Sequence, residues 1–169
     1  MDFTAHDPAA REQEPSSEHP LRLVDSHRLR VLVVDEGRLT AEALMFTLDS
    51  DPTLEPIGYS LDGRNALELV ASFEPDAVLV GADLAGMSQL KFCELVHQLD
   101  PELLVISLHR RLIPIEIESL YAAGASACVP LSCSADELLH ELAAARERLG
   151  RRTTSPPARR LVRHGALGA

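Results

Sequence analysis

Five short apolar runs punctuate the middle of the chain: VLVVD (31–35), LEPIGYS (54–60), AVLVG (77–81), LLVIS (103–107) and ACVPL (127–131). Runs this continuous suit strands buried on both faces of a parallel sheet. Between them the apolar positions recur at helical spacing. Ala41, Leu44, Met45 and Leu48 share one stripe; Leu67, Val70 and Phe73 a second; Phe92, Val96 and Leu99 a third. Ile113, Ile117 and Leu120 make a fourth, and Leu138, Leu139 and Leu142 a fifth. The alternation predicts five βα units with right-handed crossovers.

Boundary residues agree with these periods. Ser88 is placed to cap the third helix. Ser134 is placed to cap the fifth, with Glu137 three residues on in the capping-box relation. Gly124 stands where the fourth helix should end. The expected fold class is α/β: a doubly wound, five-stranded parallel sheet in the order 2-1-3-4-5, with helices on both faces. Two prolines fall inside predicted strands, Pro56 in the second and Pro130 in the fifth. Proline lacks the N–H that a central strand must donate, and this order puts both strands at the edges.

Residues 1–27 are polar, acidic and proline-containing, too poor in apolar surface to order themselves. Residues 150–169 read as a basic flexible tail, which leaves 28–149 as the folded domain. Charge sharpens this division. Residues 1–145 carry a net charge of −16, whereas 146–169 carry +6 from seven arginines and one acid. An acidic body argues against nucleic-acid binding by the body itself. No apolar run approaches the roughly 18 residues of a membrane span, and the acidic N-terminus is unlike a signal peptide, so the expected location is the cytoplasm.

Candidate chemistry is sparse. Cys93, Cys128 and Cys133 have no metal-binding spacing and read as reduced thiols, mostly buried; a redox pair between Cys128 and Cys133 is the alternative. The seven histidines are scattered, and His109, just after the fourth run, reads as an exposed loop residue. No glycine-rich phosphate cradle follows the first strand.

The stretches VLVVDE, LDGRNALEL, DAVLVGADLAGM and YAAGASACVPL together resemble response-regulator receiver domains (CheY-like) of two-component signalling. They are closest to the subgroup usually fused to a LuxR-type helix-turn-helix, and the resemblance covers about residues 28–149. It implies phosphoryl transfer from a histidine kinase to an aspartate, beside two acids that hold magnesium. Asp35 and Glu36 match the acidic pair, and Ser107 the phosphoryl-binding hydroxyl at the end of the fourth strand. The acceptor place, however, is Gly81, the lysine place is Leu131, and the mobile aromatic place is Cys128.

Glycine offers no nucleophile, and Leu131 no counter-charge. The resemblance therefore implies a non-functional acceptor position and a weak or vestigial metal site at Asp35 and Glu36, with no other cofactor. With no cation identified beside them, one of those two acids should titrate above its ordinary range. Asp83, two residues beyond Gly81, is the conceivable surrogate acceptor.

The expected function is a phosphorylation-independent pseudo-receiver without enzymatic activity. It would bind another regulator or a second copy of itself through a face that includes Ile115, Ile117, Tyr121 and Cys128, and would touch transcription only through that partner. The 19 residues after Gly150 are too few for a DNA-binding domain. A small-molecule sensor, using a pocket made partly apolar by Gly81 and Leu131, is the reading from a different class.

Overall fold

The computed structural model describes residues 28–152. Its elements follow in strict alternation: β1 (Leu29–Val34), α1 (Arg38–Asp49), β2 (Leu54–Ser60), α2 (Gly63–Phe73), β3 (Ala77–Val80), α3 (Gln89–Leu99), β4 (Leu104–His109), α4 (Pro114–Ala122), β5 (Ala127–Pro130) and α5 (Ala135–Arg152). All strand pairs are parallel, and the sheet order is β2-β1-β3-β4-β5. Fold class and strand order are those expected from the sequence pattern.

Alternate side chains of the central strands feed two separate cores. Val31, Val33, Leu79, Ile106 and Leu108 pack on one face with Ala41 and Leu48 of α1 and Leu138 and Leu142 of α5. Leu32, Val34, Val78, Val80 and Val105 pack on the other with residues of α2 and α3 and with Leu120 of α4. Every residue of β3 and β4 is buried, as a parallel sheet covered on both sides requires.

The prolines sit where the hydrogen-bond ladder tolerates them. Pro130 ends the edge strand β5. Pro56 lies in the other edge strand at an irregularity: Val31 pairs with Pro56, but Leu32 pairs with Gly58, so Ile57 is the extra residue of a bulge.

Helix ends follow local chemistry. Asp62 caps α2 by accepting from the backbone N–H of Arg64 (2.8 Å) and Asn65 (3.2 Å). Ser88 accepts from Lys91 N–H at the start of α3 (3.2 Å). At α5, Ser134 Oγ accepts from Glu137 N–H (3.2 Å) while Glu137 Oε2 accepts from Ser134 N–H (2.7 Å), completing the capping box.

Several stripes are narrower than their periodicity suggests. Phe73 and Leu99, the last residues of α2 and α3, are half exposed. Ile113 is the N-cap of α4 and is also exposed, which leaves Leu120 as the buried anchor of that helix. Strand β4 runs on to His109, two residues past the expected end. Helix α5 runs to Arg152, past the expected domain boundary at 149. Residues 1–27 and most of the predicted tail lie outside the described residues.

Gly124 closes α4 at φ +106°, and a Cβ built there would lie 2.7 Å from His97 Cβ. Both the backbone conformation and the space select glycine. Gly124→Ala should therefore lower unfolding stability by about 1–3 kcal/mol, measured as a lower urea midpoint at unchanged m-value; an unchanged midpoint would count against this account.

Candidate functional site

The C-terminal ends of β1 and β3 lie side by side where the strand order reverses, the usual place for a ligand crevice in an open α/β sheet. Gly81 N–H donates to the carbonyl of Val34 (2.7 Å), which puts the residue after β3 directly beside the end of β1. Asp35 follows Val34, and its N–H donates to Ser60 of β2 (3.1 Å). The residue is only 5% exposed.

Asp35 lies over Gly81. A Cβ built on Gly81 would stand 1.7 Å from Asp35 Oδ2, 2.5 Å from Cγ and 2.7 Å from Cβ. The carboxylate fills the space into which any side chain at position 81 would grow. Its other oxygen, Oδ1, accepts from Gly37 N–H (2.7 Å) at the entry to α1, where no N-cap side chain is present. Burial, the largest influence, pushes the Asp35 carboxyl above its ordinary value. The Gly37 hydrogen bond opposes that rise, and the negative charges of Asp83 and Glu36 add to it. Glu36 itself is exposed, and its N–H donates to the carbonyl of Asp83 (3.2 Å).

One charge relation differs from expectation. Arg110, immediately after β4, pairs with Asp83 through Nη2 and through Nε (3.1 Å). Its positive charge also acts on Asp35 and Glu36. A cation therefore does face the acidic pair, supplied by the end of β4 rather than β5. The apolar run in the sequence stops at Ser107, which by pattern alone puts Arg110 well into the loop, whereas β4 continues to His109. Asp83 is half exposed and engaged by Arg110 on the loop beyond β3.

Ser107 is not at a strand end. It is wholly buried inside β4, level with Val80 and Cys128, and its Oγ has no hydrogen-bond partner. His109, expected as an exposed loop residue, is the last residue of β4, buried, with Nε2 likewise unpartnered. Burial lowers its pKa. Leu131 is partly exposed just past β5, and its N–H donates to the carbonyl of His109 (2.7 Å).

Gln89, also missed from sequence, donates through Nε2 to the carbonyls of Gly81 and Leu108 (2.8 Å to Leu108), tying the tips of β3 and β4 together. Only its place after the Ser88 cap hinted at that role. The thiols are all free; burial pushes Cys93 up to about 12 and raises Cys128 and Cys133 as well, so none is poised as a nucleophile.

The donor set does not fit magnesium, which wants several hard oxygens in near-octahedral array. One Asp35 oxygen is engaged by Gly37, the other is turned over Gly81, and position 81 has no carboxylate. Among the described residues no group of three or more His, Cys, Asp or Glu is placed to hold a metal ion.

The described fold is the doubly wound α/β class of receiver domains. The signal receiver domain of the response regulator NarL from Mycobacterium tuberculosis superposes with a TM-score of 0.67 at 22% identity, covering 71% of this chain and 98% of that one. A LuxR-family two-component response regulator from Aurantimonas superposes at 0.66 and 20%, covering 73% and 86%. At these identities the likeness is one of fold. Sequence likeness is independent of it: the response regulator MprA of Mycolicibacterium vanbaalenii is 33% identical over 130 residues, 75% of this chain and 52% of that protein. A protein-glutamate methylesterase/protein-glutamine glutaminase of Anaeromyxobacter dehalogenans is 31% identical over 104 residues, 60% of this chain and 30% of the enzyme. The chain thus spans about half or less of these relatives' lengths. No family model matches. Fold and sequence together define the described part of the chain as a receiver domain of the two-component response-regulator type. Among the described residues no helix is long and apolar enough to cross a membrane.

Two outcomes follow from the Asp35–Gly81 contact. Gly81→Ala should cost about 1–3 kcal/mol of stability by overpacking, and Asp35→Gly, which removes all three opposing atoms, should recover most of that loss in the double variant. Denaturant unfolding of the four proteins in the cycle measures the coupling, and strict additivity would refute the contact. The raised carboxyl gives the second. Asp35 binds its proton more tightly folded than unfolded, so its contribution to stability is complete below the ordinary aspartate pKa and is lost as pH rises through the raised folded value. Asp35→Asn, which keeps an acceptor for Gly37, should therefore be more stable than the wild type at neutral pH, with the advantage fading in acid. Urea midpoints across pH test this.

Proposed function

We propose that this protein is a pseudo-receiver: a phosphorylation-independent regulatory module that acts in the cytoplasm by binding a protein partner and performs no chemistry of its own. The observation that carries this reading is the Asp35 side chain lying in the space above Gly81. A phosphoacceptor needs a nucleophile at the strand tip and room for a phosphoryl group beside it. Gly81 has no side chain, and the nearest carboxylate is buried against it. Asp83, the alternative acceptor, is engaged by Arg110. Its neutralised position on the loop supports a role in fixing charge rather than in accepting phosphoryl. The small-molecule reading loses its supporting feature too, because the room above Gly81 is taken by a carboxylate.

What the domain retains is a surface. Ile115 is 71% exposed and Tyr121 49%, both on α4, and Ile117 and Cys128 beside them are half-buried. Exposed apolar side chains on both flanks of α4, Ile115 toward α3 and Tyr121 toward β5 and α5, support binding to a second regulator or a second copy of the chain. Transcription control, where it arises, would run through that partner.

Incubation with acetyl phosphate and magnesium, followed by intact mass measurement, should show no phosphoryl adduct, and beryllofluoride should leave the amide spectrum unchanged. A stoichiometric adduct mapped to Asp83 or Asp35 would overturn the reading.

A further inference from the structure

The face around β5 carries a groove of about 770 Å³ between α4 and α5. Tyr121, Val129 and Cys133 supply apolar wall, and Asp136, Glu137 and Glu141 supply an acidic side along α5. Arg148 is a cation at this groove, and it pairs with Glu141 at 3.6 Å. The groove therefore presents an apolar surface beside an excess of negative charge. Its complement would be a short basic segment with apolar side chains among the arginines.

The chain contains such a segment. Residues 159–163 read RRLVR, within a stretch whose net charge of +6 contrasts with −16 for residues 1–145. Reach is the deciding constraint. Helix α5 is described as far as Arg152. At about 1.5 Å per residue, Glu141 lies about 16 Å back along the helix and Asp136 about 24 Å. Residues 153–158 read TTSPPA, and the paired prolines keep such a connector from continuing the helix. Six residues at the extended spacing of about 3.1 Å span about 19 Å. A connector of that length, running back along α5, is long enough to bring an arginine at 159 level with the acidic side of the groove. A longer connector would dilute the local concentration, and a much shorter one would not span the distance.

We infer that residues 159–163 of this chain dock in the groove between α4 and α5 of the same molecule. The arginines face Asp136, Glu137 and Glu141, and Leu161 and Val162 cover the apolar wall. The segment is a resident self-contact. Insofar as that face is the partner surface proposed above, a partner gains access to it by displacing the tail. Docking itself does not depend on that role or on the loss of the phosphoacceptor.

Full-length protein carrying photoreactive benzoylphenylalanine in place of Leu161 tests the inference directly. Equal amounts of unlabelled and ¹⁵N-labelled chain are irradiated at about 0.1 M salt and the cross-links are mapped by mass spectrometry. The expected result is a cross-link to residues 121–141 within chains of a single isotope. It should fall severalfold at about 1 M salt, where the Debye length shrinks to about 3 Å, and likewise with R159E/R160E/R163E. Mixed-isotope cross-links would make the occupant a second copy's tail and overturn the intramolecular assignment. Cross-links elsewhere on the body, or none, would overturn the docking site. No partner is needed for any of these readouts, so failure here is separable from failure of the proposed function.

Discussion

A single contact organises the site: the Asp35 carboxylate packed onto the bare Cα of Gly81. Two adjacent parallel strands end side by side, and Gly81 N–H is held by the carbonyl of Val34 at 2.7 Å. At that spacing the two tips have room for one side chain between them, and Asp35 takes it. The glycine at position 81 and the inward turn of Asp35 are thus one packing arrangement. A side chain placed at position 81 would have to evict Asp35 from a hydrogen bond to Gly37 as well as from its space.

Burying that acid has an electrostatic cost, visible as the raised carboxyl. The surroundings limit the cost from two sides. The Gly37 N–H stabilises the ionised form, and Arg110 brings a positive charge from the end of β4 while engaging Asp83. Arg110 and Asp83 are partly exposed, so their pairing is worth little as stability. Its role is to fix where charge sits around the crevice. Gln89 fastens the same region mechanically by bonding to the carbonyls of Gly81 and Leu108. The tips of β1, β3 and β4 are thus tied together by hydrogen bonds and packing.

The acidic, partly apolar groove beside β5 and the exposed Ile115 and Tyr121 remain without a covering element among the described residues.

The fold was legible because its determinants are local and repeated. Continuous apolar runs, helical stripes, Ser88, the Ser134–Glu137 pair and Gly124 each act over a few residues. The prolines at 56 and 130 added a test of strand order, which the edge strands meet. Gly81 could be seen from sequence to lack a nucleophile. What filled its place could not, since Asp35 is 46 residues away and its rotamer answers to packing across two strands. The extension of β4 to His109 depends on pairing with β5, and that extension buries His109 and Ser107 and brings Arg110 to the crevice. Periodicity in one segment carries no information about pairing with another. Sequence alone determined the layers and their order, through short-range steric and hydrophobic patterns. Only the tertiary structure decided which charge faces which, because Coulomb and packing terms depend on distances that the chain sets when it closes.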